Sequence, residues 1–175
     1  MDITLERFNE VMEGLEKGRI RVAEKKDGVW VVHAWVKEVI LAGFRLGAVT
    51  DMSEGQFSFF DKATFPVRRF TAADGVRIVP GGSAVRRGAY LSPGAIVMPP
   101  AYVNVGAYVG EGTMVDSHVT IGSCAQVGSL SISPHPPRSA ACSNPPAPCR
   151  PSLRTGPSSA ATAGSMRGPS SRKGR

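Results

Sequence analysis

Aliphatic side chains recur every six residues across 79–127, and this period predicts a parallel β-helix over residues 75–128. Two further observations complete the expected fold class. Residues 1–74 alternate helix-period and strand-period segments, which predicts an N-terminal α+β region ahead of the coil. Residues 129–175 carry no Phe, Trp or Tyr and nine of the chain's 14 prolines, too little apolar surface to offset the entropy of ordering, so this basic Pro/Ser/Arg-rich tail is expected to be disordered.

Leu5, Phe8, Val11, Met12 and Leu15 stand at helical spacing within residues 3–17, with Asp2 or Thr4 as N-cap and Gly18 as stop. Residues 19–24 and 29–34 read as two strands around Lys25-Lys26-Asp27-Gly28, where Asp-Gly is a strong hairpin signal. Trp35, Val39, Ala42 and Leu46 return to helical spacing, and Gly47 ends that helix. Residues 50–74 are expected to form short strands and loops packing on the helices, with a turn at 53–55 and aromatic stretches at 57–60 and 65–70.

The coil is the most informative region. Its aliphatic positions are Val79, Val85, Leu91, Val97, Val103, Val109, Val115, Ile121 and Val127. Four residues after each aliphatic comes a second register of Ser83, Ala89, Ala95, Ala101, Ala107, Thr113, Val119 and Ala125, often preceded by glycine. This is a hexapeptide signature: a short strand carries each aliphatic inward, and a glycine-tolerant corner turns the chain onto the next face. Three hexads make one triangular coil, so about two and a half coils are expected. Coils of this repeat class wind left-handed, against the usual crossover preference. The expected fold is therefore an α+β region followed by a truncated left-handed parallel β-helix that ends at Val127 and Gly128.

Charge divides at the same boundary. The chain carries a formal net charge of +7, yet residues 1–128 hold 14 basic and 14 acidic side chains. The surplus lies wholly in Arg138, Arg150, Arg154, Arg167, Arg172, Lys173 and Arg175. The tail has no aromatics for base stacking and no recognisable motif, which argues against a nucleic-acid-binding module through this basic tail. No apolar run reaches the roughly 18 residues of a membrane span, and the acidic amphipathic start is unlike a signal peptide. With one cysteine, Cys124, in the body, a cytosolic compartment is expected.

Several stretches together resemble one enzyme family. They are Arg21-Val22-Ala23-Glu24-Lys25, Asp27-Gly28-x-Trp30, Phe60-Asp61-Lys62, Val76-Arg77-Ile78-Val79-Pro80, Tyr102-Val103-Asn104-Val105-Gly106-Ala107-Tyr108, Glu111-Gly112-Thr113-Met114-Val115-Asp116 and Gly122-Ser123-Cys124-Ala125-Gln126-Val127-Gly128. Together they resemble the tetrahydrodipicolinate N-succinyltransferases of the diaminopimelate branch of lysine biosynthesis, over nearly all of residues 1–128. The resemblance implies a homotrimer with active sites between neighbouring coils. It implies succinyl-CoA as co-substrate, no bound cofactor, and an opened form of the cyclic imine dicarboxylate as amine acceptor. It also implies that Arg77 grips a substrate carboxylate and that Asp116 holds the acceptor amine or takes its proton. On residue type alone, Arg77 reads as a solvent-facing charge and Asp116 as a polar corner residue.

His118 is the next candidate, although a lone histidine is more often a surface residue. With His33 it makes no zinc site, and no metal is expected. Cys124 suits an inward small position better than a nucleophile's, since no partner base is apparent. The family continues past Gly128 with a Gly-Gly-Val-Leu-Glu-Pro motif, and residues 138–145 read one base out of register permit it. A change of reading frame near Gly128 and Ser129, leaving an inactive truncated form, is therefore expected. The other enzyme reading is a different hexapeptide-repeat, acyl-CoA-dependent acyltransferase.

Overall fold

The computed structural model describes residues 3–130 and the backbone of residues 132 and 133. From residue 134 onward the expected tail lies outside the described residues.

Helix α1 (Leu5–Glu16) begins at Thr4, whose hydroxyl accepts the Arg7 N–H at 3.2 Å, satisfying one of the donors a helix start leaves open. Phe8, Val11, Met12 and Leu15 are buried as the spacing predicts, while Leu5 stays half exposed. Strands β1 (Ala23–Lys26) and β2 (Val29–Val32) pair antiparallel with Lys26 opposite Val29. The two-residue turn between them holds Asp27 and Gly28 at φ 49° and 82°, the positive values a type I′ turn needs. The first strand starts later than residue 19, because the N–H groups of Arg19 and Ile20 both donate to the Gly14 carbonyl and close helix α1.

Helix α2 (Ala34–Leu46) buries Val36, Val39, Ile40, Ala42 and Gly43. This corrects the expected stripe, since Trp35 and Leu46 remain over 40 % exposed. The helix is apolar on more than one face. Phe8 and Phe65, packed edge to face with centroids 5.4 Å apart, fit against the notch at Gly43 and select the buried one.

Strands β3 (Val49–Asp51) and β4 (Phe60–Lys62) form a second hairpin, extended by a bridge between Glu54 and Phe57. The turn is at Gly55 and Gln56, beyond the register that the bridge sets. Phe57, Phe59 and Phe60 are exposed, which corrects the expectation that this run packs on the helices. Of the two aromatic stretches, Phe65 is the side chain fully buried in the N-terminal core. A 3-10 turn (Ala72–Asp74) then leads into the coil.

The coil consists of two-residue strands: β5 (Arg77–Ile78), β6 (Ala84–Val85), β7 (Tyr90–Leu91), β8 (Ile96–Val97), β9 (Tyr102–Val103), β10 (Tyr108–Val109), β11 (Met114–Val115), β12 (Thr120–Ile121), β13 (Gln126–Val127) and β14 (Ile132–Ser133). They stack into three parallel sheets, ordered β7-β10-β13, β6-β9-β12 and β5-β8-β11-β14. The predicted aliphatic positions from Val85 to Ile121 are buried, as are the small residues Ala89, Ala95, Ala101, Ala107, Thr113 and Val119. Apart from Thr113, these side chains form one continuous hydrophobic core.

Two features of register differ from the six-residue count. Ile78, not Val79, pairs with Val97, so the first rung is offset by one residue. The extra residue is absorbed before β6, where Gly81 and Gly82 take φ 139° and 91°. At the other end the pairing passes the expected stop at Gly128, because Ile132 and Ser133 pair in parallel with Met114 and Val115.

The N-terminal region docks on one corner and one face of the coil. Val105 and Cys124 belong to the same buried cluster as the α1 and α2 side chains. The Arg21 guanidinium lies 3.7 Å from the centre of the Tyr108 ring, and its Nε donates to Gln126 Oε1 at 3.0 Å.

Candidate functional site

The sheet β5-β8-β11-β14 positions both residues singled out from the sequence. On β5, Ile78 packs against the coil core, so the alternation of a strand turns Arg77 outward, where it is exposed. On β11, Val115 is fully buried and Asp116 follows it at the corner, half-buried. Arg77 and Asp116 thus share one side of the coil. Two strand spacings separate β5 from β11, about 10 Å along the coil axis.

The Asp116 corner is one of a repeated series of β-turns. The Val119 N–H donates to the Asp116 carbonyl at 3.3 Å, as Ala95 does to Ser92 and Ala107 to Asn104. Residue i+2 of each turn takes the left-handed conformation that a type II turn requires. Glycine serves at 88, 94, 106 and 112, but His118 and Cys124 stand there at φ 61° and 64°. The Asp116 Oδ1 atom accepts the Ser117 N–H at 2.8 Å, which pins one oxygen of the carboxylate. His118 is exposed beside it, and its N–H donates to the Pro100 carbonyl at 2.6 Å.

Cys124 corrects a sequence expectation. It occupies a corner rather than an inward small position, and its side chain is buried against the N-terminal cluster. Burial pushes its thiol up to about 11, so the nucleophilic thiolate is scarce near neutral pH. The left-handed corners at His118 and Cys124 were legible in one signal, namely that each follows Gly112 by a multiple of six.

A second polar cluster lies on another side of the molecule and was missed by motif reasoning. Gly18, Arg19, Ile20, Arg21, Glu24, His33 and Trp35 line a cleft of about 300 Å³. His33 Nε2 lies 2.9 Å from Glu24 Oε1, and Lys26 Nζ reaches the same oxygen at 2.9 Å. The His33 hydrogen bond, then Lys26, hold the Glu24 carboxyl below its ordinary range. Among the described residues no three His, Cys, Asp or Glu side chains gather as a metal site needs.

Residues 2–46 match the model described as tetrahydrodipicolinate N-succinyltransferase N-terminal. Over about half its length the chain is similar to curated N-succinyltransferases. The 2,3,4,5-tetrahydropyridine-2,6-dicarboxylate N-succinyltransferase of Actinobacillus pleuropneumoniae is 46% identical over 89 residues, 49% of this chain and 32% of that protein. The protein of the same name from Methylococcus capsulatus is 51% identical over 92 residues, 50% of this chain and 33% of that protein. That of Pectobacterium atrosepticum is 46% identical over 94 residues, 51% of this chain and 34% of that protein. The alignments thus cover about a third of the length of these N-succinyltransferases, which are acyltransferases by name. Among the described residues no helix is long and apolar enough to cross a membrane.

Proposed function

We propose that the chain carries part of the acceptor site of a tetrahydrodipicolinate N-succinyltransferase. In this reading succinyl passes from succinyl-CoA to the amine of the opened form of tetrahydrodipicolinate, in the diaminopimelate route to lysine, in the cytoplasm. The observation that carries the reading is the similarity, near one half identical, to proteins bearing that activity in their name. The coil geometry is compatible with it. An arginine and an aspartate carried two strand spacings apart on one side of the coil suit an extended acceptor with a carboxylate at one end and an amine at the other.

The chemistry follows from those two side chains. Arg77 presents a planar fork to the acceptor's carboxylate. Asp116, with one oxygen held by the Ser117 N–H, offers the other to the amine, orienting it or accepting its proton. The amine nitrogen attacks the thioester carbonyl, a C–N bond forms, the C–S bond breaks, and coenzyme A leaves as the thiol. The family's homotrimer, left-handed coil and absence of a bound cofactor belong to the same proposal. The abrupt change of composition at residue 128 supports a change of reading frame there, which sequencing the coding DNA around codon 128 tests.

Acylation assays with succinyl-CoA and the dicarboxylate acceptor test the activity. In the protein with the reading frame restored, or in this chain if it turns over, Asp116→Asn is expected to lower kcat/KM by about 10² or more, and Arg77→Lys to raise KM for the acceptor more than it lowers kcat. Lack of any turnover by the purified chain is the outcome an inactive truncated form predicts, and turnover at ordinary enzyme rates overturns that part of the reading. Turnover with acetyl-CoA but not succinyl-CoA favours another hexapeptide acyltransferase.

A further inference from the structure

The cleft between the end of helix α1, the first hairpin and the start of helix α2 holds a cation that the fold leaves without an anion. Arg21 is partly buried there, its guanidinium lying on the Tyr108 ring and its Nε donating to Gln126 Oε1 at 3.0 Å. The N–H groups of its two terminal nitrogens have no hydrogen-bond or ion-pair partner among the described residues. The other partly buried arginines are treated differently. Arg68, Arg86 and Arg87 each hand a terminal nitrogen to a backbone carbonyl, of Ala89 at 2.6 Å, Phe65 at 2.9 Å and Thr64 at 3.3 Å. Donors withdrawn from water without an acceptor are costly, so the terminal N–H groups of Arg21 call for an acceptor from outside the described residues.

The acid of the cleft is already engaged. Glu24 is the one acidic residue of the lining, and Lys26 and His33 both lie 2.9 Å from its Oε1 atom. Arg19 reaches only Glu13, at 3.9 Å on the outer surface. Three fixed positive charges, Arg19, Arg21 and Lys26, therefore stand against Glu24, and the balance favours an anion. Apolar surface completes the lining. Trp35 is 42 % exposed on the first turn of helix α2, and Ile20 lines the cleft while packing on the N-terminal core. A cleft of about 300 Å³ with an apolar wall and a few convergent polar groups suits a small molecule.

We propose that this cleft binds a small organic carboxylate with a flat apolar body, the carboxylate on the terminal nitrogens of Arg21 and the body against Trp35 and Ile20. With Nε committed to Gln126, the guanidinium offers its terminal pair of nitrogens, whose parallel N–H groups match the two oxygens of a carboxylate. Tyr108 and Gln126 belong to β10 and β13, whereas Arg77 and Asp116 are positioned by the sheet β5-β8-β11-β14. The inference therefore stands or falls separately from the acyl-transfer reading.

Calorimetric titration of the full chain with benzoate, a minimal flat carboxylate, is the experiment, with benzyl alcohol and inorganic phosphate as comparison probes. Benzoate is expected to bind saturably at one site. Arg21→Gln and Trp35→Glu are each expected to weaken it by about tenfold or more, and Arg77→Gln to leave it unchanged. Circular dichroism and thermal melting check that the variants fold. An acidic side chain in the first turn of helix α2 is favourable to that helix, so Trp35→Glu decides alone should Arg21→Gln not fold. Absence of saturable benzoate binding, or unchanged binding by a folded Arg21→Gln or Trp35→Glu variant, overturns the proposal. Loss of binding in Arg77→Gln also overturns it, by placing benzoate on the other sheet. Benzyl alcohol binding as tightly as benzoate overturns the part given to Arg21, and phosphate binding more tightly overturns the choice of a carboxylate.

Discussion

Gly43 sits where helix α2 crosses the rings of Phe8 and Phe65, and a β-carbon built there would collide with both rings. Both rings are fully buried, so neither has a free direction in which to yield. Gly43→Ala is therefore expected to destabilise the chain by about 1–3 kcal/mol, read as a lower denaturant midpoint with an unchanged slope. Nothing in the local sequence marks this glycine, because helix period shows which stripe is apolar but not which notch accepts a ring from elsewhere. Asp116 is the opposite case. Its place beyond a ladder aliphatic was legible from the six-residue count, but the Ser117 N–H that holds one of its oxygens depends on the corner conformation.

Among the elements, the two hairpins were read with unequal success, and their turns explain why. Asp27 and Gly28 supply two positive φ values that few residue pairs tolerate, so the turn was legible from the pair itself. A β-carbon at Gly28 meets nothing within 4 Å, which leaves backbone conformation as the whole cost of substitution. Gly28→Val is expected to lower stability by about 1–2 kcal/mol, with Gly28→Asn losing clearly less, both measured by denaturant melts. The second hairpin carries aromatic residues on both faces, a pattern that sequence reasoning assigns to a core. Its exposure reflects where the ribbon stands on the body, a tertiary fact that no local period encodes. The coil was the most legible element because a repeat states the same rule many times, and a single exception does not hide it.

At the scale of the whole molecule, acid should weaken the fold. Glu13, Glu24, Asp51 and Asp74 all titrate below their ordinary values, held by Lys17, by His33, by the Ser53 hydroxyl and by the Thr71 N–H respectively. A depressed folded-state pKa contributes stability that is present above the unfolded value and lost as pH falls through the folded one. With ordinary values of 4.5 for Glu and 3.8 for Asp, the melting temperature is expected to hold from pH 7 to about 5 and decline below about 4.5. Thermal melts across pH 3 to 7 check this, and Glu24→Gln should flatten part of the decline. The ladder's offset at its first rung has a consequence at the same scale. In a strand, parity decides direction, and shifting the pairing by one residue exchanges inside for outside. Had an uninterrupted count of six put Val79 opposite Val97, Ile78 would face the solvent and the Arg77 guanidinium would turn into the aliphatic core. The single surplus residue ahead of β6 is thus what makes position 77 a place where a charge can stand and meet a ligand.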